Sequence, residues 1–349
     1  MIQLLLPSAI SLQSVDPRGK LPDNVLWIDL LEPDRDAEGR VEQFLGINIP
    51  TREEMREIEE SSRLYREGET LYITVRVLFG VDTGRPRTRA ITFVLTPRCL
   101  VTVRYIDPHA FKSFADRFTK DHAAPVTTGA EVFVELLERI VDRTADVIES
   151  VENDLEHISD AIFREDAPDG VVTARSPAVG SAGSSIIPGN DKKEDRLPPT
   201  VDLQVLLKRL GRHNALGARI RESLLSIARL MPFLCGMHAP LPAELRRRLE
   251  TLERDVKSLS EYDSQVAQEI EFLLDATLGF INLEQNNIIK VFTIVATLLM
   301  PPTVIGSIYG MNFEHMPELH WAFGYPAALA LMVLSAAVPY WYFKRRGWV

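Results

Sequence analysis

The chain has 349 residues, of which 46% are hydrophobic and 25% charged, and its formal net charge is −10. Beyond Lys290 only five charged residues occur: Glu314, Glu318, Lys344, Arg345 and Arg346. This division excludes a uniformly soluble enzyme and a basic nucleic-acid binder. The two cysteines, Cys99 and Cys235, have neither metal-type nor disulfide spacing, which excludes a disulfide-stapled secreted domain.

Residues 1–125 have the pattern of a cytosolic α/β domain. Five segments rich in β-branched and aromatic residues predict strands: Ile2–Leu6, Val25–Leu31, Leu71–Phe79, Thr88–Leu95 and Leu100–Tyr105. Helices are predicted between and after them, over Asp34–Leu45, Arg52–Glu60 and Phe111–Phe118. Thr51 and Glu54 open the second of these as a capping box. The region has neither a G-x-G-x-x-G nor a Walker A pattern, so no nucleotide site is expected here.

Residues 126–164 are predicted to form an acidic helix. Apolar residues recur at helical spacing from Phe133 to Ile162, and residues 131–160 contain ten acidic side chains against two arginines. The acidic face is either an ordinary solvated surface or one that concentrates cations near a conduction path.

Residues 165–199 are rich in Gly, Pro, Ser and Asp without an apolar period, which predicts a disordered linker. Residues 200–240 follow as a basic helix and a turn. We expect the helix, Val201–Leu230, to pair antiparallel with the acidic helix. Met231-Pro232 and Pro240–Pro242 are predicted to bracket the turn.

From Ala243 an apolar repeat predicts one continuous helix to about residue 308. Its first part, residues 241–290, is a stalk helix, and the whole helix would be ~100 Å long. Association of several copies would bury the apolar stripe of this stalk and create an axial path.

Two uncharged segments, residues 291–309 and 321–343, are each long enough to cross about 30 Å of hydrocarbon as transmembrane helices. Lys290 precedes the first, and a basic tail over residues 344–349 follows the second, whereas the connecting loop 310–320 has no Lys or Arg. The positive-inside rule therefore predicts a multi-pass membrane protein with cytoplasmic N and C termini and an external loop.

The loop opens with Gly310-Met311-Asn312 directly after the first span, and Met-Pro-Glu-Leu follows over residues 316–319. On these motifs, on the prolines of the first span and on the run from Gly279 to Lys290, the chain resembles the CorA family of divalent-cation channels, in particular its proteobacterial branch. The resemblance implies an α+β membrane protein of five identical subunits in the inner membrane. It also implies passive Mg²⁺ uptake, with Co²⁺ and Ni²⁺ as further permeant ions and closure by cytosolic Mg²⁺. Its partners would be other copies of the chain, membrane lipid and divalent cations, and no enzymatic activity is expected.

The Gly310-Met311-Asn312 triplet is the candidate site of ion entry. Mg²⁺ gives up water reluctantly, and a ring of Asn312 amide oxygens with Gly310 carbonyls could hydrogen-bond its hydration shell without stripping it. Gly310 would let the backbone leave the helix. A simple turn that ends a helix would explain the triplet but not the motif after it. Glu314 and Glu318 either attract cations to the outer mouth or are ordinary polar loop residues.

Stepping back along the helix from the triplet gives a candidate pore wall of six residues: Asn286, Ile289, Phe292, Ala296, Met300 and Thr303. Ile289 and Phe292 would form a hydrophobic gate that closes by dewetting. The alternative for Thr303 is that its hydroxyl only bonds a backbone carbonyl.

The resemblance also implies a regulatory Mg²⁺ between cytosolic domains. Asp255 on the stalk is the candidate ligand, and Asp82 in a strand-to-strand loop is its candidate partner across the subunit interface. Two other functions stay open. His315 and His320 would suit a related transporter of Zn²⁺, Co²⁺ or Ni²⁺, and the long stalk would suit a non-conducting, membrane-anchored coiled-coil scaffold.

Overall fold

The computed structural model describes residues 2–6, 13–15, 21–57, 59, 63–117, 126–163, 203–236, 241–311, 321 and 323–348. They divide into two units, residues 1–273 and 274–349. The predicted linker 165–199 and nearly all of the loop 310–320 lie outside the described residues.

The first unit is built on a sheet of seven strands among the described residues, in the order β2-β1-β3-β7-β6-β5-β4. The strands are β1 (Ile2–Leu5), β2 (Gln13–Val15), β3 (Trp27–Leu31), β4 (Leu64–Glu67), β5 (Thr70–Phe79), β6 (Arg87–Leu95) and β7 (Leu100–Arg104). β3 and β7 run parallel, and the other neighbouring pairs are antiparallel. The five predicted strands are confirmed, while β2 and β4 were not predicted, because both are short and β4 is only partly buried.

The parallel pair is fixed by a buried polar network. The Arg104 guanidinium contacts the Asp29 carboxylate, with Nη2 and Oδ2 2.8 Å apart, and the two side chains are 5% and 0% exposed. Thr102 donates to the same carboxylate at 2.6 Å and accepts from the Trp27 indole at 2.9 Å. Because each buried polar group has a partner, the network specifies this register without leaving an unpaired charge.

Two short helices pack on the sheet: α1 (Arg35–Leu45), which Asp34 caps, and α2 (His109–Arg117). The helix predicted over Arg52–Glu60 is wrong for the described residues, where a single 3₁₀ turn covers Glu54–Arg56. The Thr51–Glu54 capping box is present. Only Met55 in that turn is buried, so little apolar surface favours a longer helix.

Three long helices complete the first unit: α3 (Gly129–Phe163), α4 (Leu203–Gly236) and the first part of α5 (Ala243–Tyr309). α3 and α5 are parallel, because Glu138 pairs with Arg248 near their beginnings and Phe163 stacks on Phe272 farther on. α4 is antiparallel to α3, as predicted, and Asp154 contacts His213 at 3.3 Å.

The predicted start of the turn at Met231-Pro232 is wrong, because α4 continues through Pro232 to Gly236. The proline removes one backbone hydrogen bond. Met231 and Leu234, 0% and 3% exposed, bury enough apolar surface to keep the last turn in place.

The predicted continuous helix is confirmed, since α5 runs unbroken from Ala243 to Tyr309 and includes Pro301 and Pro302. The second unit consists of the last part of α5 and of α6 (Gly324–Arg345). Both α5 and α6 are long and apolar enough to cross a membrane.

Candidate ion pathway

The second unit is an antiparallel helix pair. The Lys290 ammonium lies 5.7 Å from the Trp348 ring, near the end of the chain, and Trp348 stacks on Phe343. Farther along α5, a Cβ built on Gly306 would lie only 3.4 Å from the Cε atom of Met332. Gly306 therefore allows the two helices to approach closely.

One face of α5 is covered within this unit. Ile294 is 8% exposed, and Leu298, Pro301 and Ile305 are partly buried. These positions recur every three or four residues, which is the spacing of one helix face.

The candidate pore wall lies on the opposite face of α5. Phe292, Ala296, Met300 and Thr303 each stand two residues from a covered position, and half a helical turn is about 1.8 residues. Phe292 is 71% exposed and Met300 66%. The structure thus brings the predicted wall residues to the side of α5 that α6 leaves open.

The remaining two predicted wall residues, Asn286 and Ile289, are also exposed, Ile289 at 61%. Leu299 and Val304 on the flanks are 63% and 50% exposed. Exposure within one chain therefore marks the surface available to a neighbouring subunit, to lipid or to an ion path.

Three threonine hydroxyl groups of this segment bond within the helix. Thr303 donates to the carbonyl of Leu299 at 2.7 Å, and Thr293 and Thr297 donate to the carbonyls four residues earlier at 2.8 Å. The Thr303 hydroxyl hydrogen therefore bonds a backbone carbonyl, as the alternative interpretation of this residue stated. Its oxygen keeps lone-pair capacity for a water molecule.

The helix ends where the triplet begins. The N–H of Gly310 still donates to the carbonyl of Gly306 at 3.0 Å, and the N–H of Met311 donates to that of Ile308 at 3.3 Å. We expected Gly310 to let the backbone leave the helix, and α5 does end at Tyr309, but Gly310 does not adopt a left-handed backbone angle. A Cβ at this position would lie 3.1 Å from the Gly306 oxygen, so glycine is favoured by space. Asn312, Glu314 and Glu318 lie outside the described residues.

The candidate regulatory residue Asp255 is exposed on α5, beside the acidic face of α3. Burial raises the pKa of the neighbouring Asp142, and the negative charges of Glu138, Asp146 and Asp255 raise it further. This surface therefore has an excess of negative charge, which would favour a nearby cation.

The other candidate, Asp82, lies in the β5–β6 loop and accepts a hydrogen bond from Arg143 of α3 at 2.5 Å. Within one chain, the ion-pair partner of Asp82 is therefore Arg143. In the part of the chain that the structure describes, no group of three His, Cys, Asp or Glu side chains is placed to hold a metal ion. A regulatory site made of these two residues would need a second subunit.

Two features of the helical bundle escaped the sequence reasoning. Asp263 of α5 is 3% exposed and is paired with Arg221 of α4, whose Nε atom lies 3.0 Å from Oδ2. Tyr262 hydrogen-bonds to Glu152 of α3, which raises its pKa to about 12. The only signal for Asp263 was an acidic residue among apolar positions of the repeat.

Comparison with known proteins agrees with this architecture. The family model described as CorA-like Mg²⁺ transporter protein matches residues 22–174 and 200–345. Magnesium transport protein CorA of Escherichia coli K12 is 32% identical over 326 residues, covering 93% of this chain and 92% of that protein. The protein of the same name from Salmonella typhimurium matches with the same identity and coverage.

Solved structures show the same fold at lower identity. The CorA magnesium transporter from Methanocaldococcus jannaschii superposes with a TM-score of 0.71 at 18% identity, covering 100% of this chain and 99% of that one. The full-length CmaX protein gives a TM-score of 0.59 at 14% identity, over 98% and 97% of the two chains. The family match extends over the α/β unit, the long helix and the terminal helix, and the chain therefore belongs to the CorA family.

Proposed function

We propose that this protein is a passive channel through which the membrane potential drives Mg²⁺ into the cell across the inner membrane. The observation that carries the proposal is the open face of α5, which runs from Ile289 to the end of the helix at Tyr309, in a chain of the CorA family whose next residue, Gly310, opens the Gly-Met-Asn triplet. The working assembly would be a homopentamer with these open faces around one axis, in contact with membrane lipid on the outside.

The helix pair supports a topology with both termini in the cytoplasm. Lys290 and the basic residues Lys344, Arg345 and Arg346 lie at the same end of this antiparallel pair, as the contact between Lys290 and Trp348 requires. Arg345 and Arg346 lie over the rings of Trp341 and Tyr342, an arrangement typical of a membrane interface. The loop 310–320 would then face outward.

Ion entry would depend on neutral oxygen atoms. Amide oxygens of Asn312 and carbonyls of Gly310 and Met311 would bind the water shell of Mg²⁺ at the outer mouth, while Glu314 and Glu318 would raise the local cation concentration. Weak binding of a hydrated ion lets the ion leave again. Permeation by Co²⁺ and Ni²⁺ would follow from similar hydration.

The gate would be the apolar belt of Ile289 and Phe292. When these exposed side chains from several subunits approach, the space between them loses water and conduction stops. Between the gate and the mouth, Ala296, Met300 and Thr303 would form a wall with few strong ligands, and Asn286 would face the cytoplasmic exit. An inside-negative potential would supply about 2.3 kcal/mol per charge per 100 mV, or roughly 4–5 kcal/mol for a divalent ion, without another energy source.

Regulation would use the acidic surface at the stalk. Cytosolic Mg²⁺ near Asp255 and the Asp82 of a neighbouring subunit would reduce the repulsion between acidic surfaces and favour the closed assembly. Loss of internal Mg²⁺ would restore the repulsion and allow the gate to hydrate.

A transporter of Zn²⁺, Co²⁺ or Ni²⁺ is the second candidate, because histidines beside the outer mouth would suit softer ions. The cytoplasmic domain of ZntB from Vibrio parahaemolyticus shares the fold with a TM-score of 0.55. At 9% identity this likeness concerns the fold alone. The histidines of the loop, His315 and His320, lie outside the described residues.

The test is Mg²⁺ entry into liposomes that contain the purified protein, under an inside-negative potential and with a Mg²⁺-sensitive dye inside. Asn312→Ala is expected to abolish nearly all uptake, since it removes the ring of amide oxygens. Asn24→Ala, on an exposed turn of the first unit, is the matched control and should transport normally.

Wild-type vesicles no more permeable to Mg²⁺ than empty ones at every internal concentration would refute the channel. Unchanged uptake in Asn312→Ala would refute the role of the triplet, and zero uptake in all variants would support the scaffold. Uptake of Zn²⁺ in strong preference to Mg²⁺ would support the second candidate.

A further inference from the structure

The first unit contains a cavity of about 500 Å³ that the proposed conduction path does not use, although the candidate regulatory residue Asp82 is one of the residues that line it. It lies where the β5–β6 hairpin meets the beginning of α2 and the middle of α3. Its volume falls within the range of about 300–1,000 Å³ typical of sites for small organic ligands. One part of its wall is apolar and is formed by Val77, Phe79, Ala110, Ile140 and Val147.

The other part of the wall is basic, in a chain whose net charge is −10. Two acidic side chains are present, and both are neutralised. Asp82 pairs with Arg143 at 2.5 Å, and Asp107 pairs with Lys112 at 3.1 Å and with Arg104 at 2.8 Å. The carboxylates therefore do not cancel the remaining positive charge.

That remaining charge belongs to Arg85 and Arg87. Both line the cavity and are exposed, and neither makes an ion pair with any residue that the structure describes. His109, the first residue of α2, also lines the cavity, so the positive end of a helix dipole adds to the field.

An ordered hairpin presents these two arginines. Gly80 and Gly84 have φ of 74° and 67°, and the N–H of Arg85 donates to the carbonyl of Gly80 at 3.0 Å. A Cβ at Gly80 would lie 2.6 Å from the Arg85 oxygen, so this close approach requires glycine. Arg87 pairs in register with Phe79 of the adjacent strand. The basic and apolar parts of the wall are thus held side by side.

We propose that this cavity binds a small organic phosphate, a phosphate monoester with an apolar body, such as a nucleoside monophosphate. Arg85 and Arg87 would receive the phosphate, because the planar guanidinium group matches phosphate oxygens in a bidentate manner. The apolar wall would cover the body of the ligand. The lack of a glycine-rich motif excludes recognition by a phosphate-binding loop, but not recognition by arginine side chains.

The test uses the full-length protein in detergent, titrated calorimetrically with AMP in a buffer with EDTA and no divalent cation. AMP is expected to bind, and replacing both arginines by alanine, R85A/R87A, should weaken binding by about tenfold or more, the loss expected when charge-assisted contacts are removed. R89A is the matched control, since Arg89 is an exposed arginine of the same strand that does not line the cavity. It should bind AMP as the wild type does.

Two fragments of the ligand test separately whether the basic part and the apolar part of the wall contribute to binding. Both are measured on the wild-type protein, so the result does not depend on the folding of a variant. Inorganic phosphate should bind more weakly than AMP, because it leaves the apolar wall uncovered, and adenosine should bind more weakly because it leaves the arginines unused. The proposal is overturned if AMP does not bind, if adenosine binds as tightly as AMP, or if R89A loses as much affinity as R85A/R87A. Because neither Mg²⁺ nor a membrane potential is used, these outcomes are independent of the transport proposal.

Discussion

Gly129, the first residue of α3, is the clearest case in which one missing side chain determines the packing. A Cβ at this position would lie 2.4 Å from the backbone nitrogen of Leu100 and 2.7 Å from the carbonyl carbon of Cys99. Gly129→Ala is therefore expected to destabilise the protein by about 3 kcal/mol or more, the upper end of over-packing costs, because backbone atoms must move. Thermal unfolding in detergent would measure the loss.

Gly39 is the matched control, because it lies inside α1 and nothing occupies the space within 4 Å of its Cβ position. Gly39→Ala should leave stability unchanged or raise it by about 0.5–1 kcal/mol, since alanine loses less backbone entropy in a helix. Equal effects of the two substitutions would show that the contact of Gly129 with β7 does not limit packing.

Local signals predicted individual residues well where the cause was also local. The capping residues Thr51 and Glu54 make their reciprocal hydrogen bonds as the sequence indicated. Gly310 shows the limit of such reasoning, because its role depends on the distance to the Gly306 oxygen and not on an unusual φ. No sequence pattern reports such a distance.

At the scale of elements, the buried contact between α4 and α5 makes a prediction about pH. Burial raises the pKa of Asp263 above its ordinary 3.8, although Arg221 partly opposes this. A raised carboxyl pKa means that the folded state binds the proton more tightly than the unfolded state. Stability is therefore lost as pH rises from 3.8 through the folded pKa, and the cost is complete above it.

Asp263→Asn removes the buried charge and should raise the unfolding free energy at neutral pH, with the gain disappearing as pH falls towards 3.8. Arg221 is 47% exposed, so water still solvates its charge in the variant. Denaturant unfolding at several pH values would measure the difference. Asp146→Asn, at an exposed position of α3, should change stability by less than about 0.5 kcal/mol. A less stable Asp263→Asn variant at neutral pH would show that the ion pair outweighs the burial.

Long periodic elements could be predicted from the sequence, whereas short ones could not. The apolar repeat from Ala243 to Tyr309 predicted helix α5 correctly, because many helical turns contribute to the same periodic signal. The three-residue β2 has no such redundancy. The errors at Arg52–Glu60 and Pro232 both concern burial, which local propensity does not report. Only Met55 is buried in the first segment, so a longer helix gains little there, whereas buried Met231 and Leu234 keep α4 helical through Pro232.

For the whole molecule, the regulatory proposal makes a prediction about transport. Asp255→Ala removes one carboxylate from the acidic surface near Asp142, and inhibition of uptake by Mg²⁺ inside vesicles should require several-fold higher concentrations. Glu250→Ala, at an exposed position of the same helix, is the control and should be inhibited as the wild type is. Unaltered inhibition of the Asp255→Ala channel would remove this residue from the regulatory site.

The residues of the candidate ion pathway could be predicted from the sequence, whereas the cavity of the first unit could not. The triplet, the wall residues and the spans followed from motif and spacing, and the covered face of α5 agrees with that choice. The cavity between the β5–β6 hairpin and α3 could not be predicted, because it depends on segments about 60 residues apart, as the contact between Asp82 and Arg143 shows.

The parallel pairing of β3 with β7 has a consequence for biosynthesis. Asp29 leaves the ribosome long before Arg104, its counter-ion, so β1 and β3 must wait for some seventy more residues before their neighbour arrives. During that interval a carboxylate and an unsatisfied strand edge are open to chaperones and to other nascent chains. A translational pause before Arg104 has left the ribosome would prolong this vulnerable period, whereas after β7 has emerged a pause would no longer keep β3 from its neighbour.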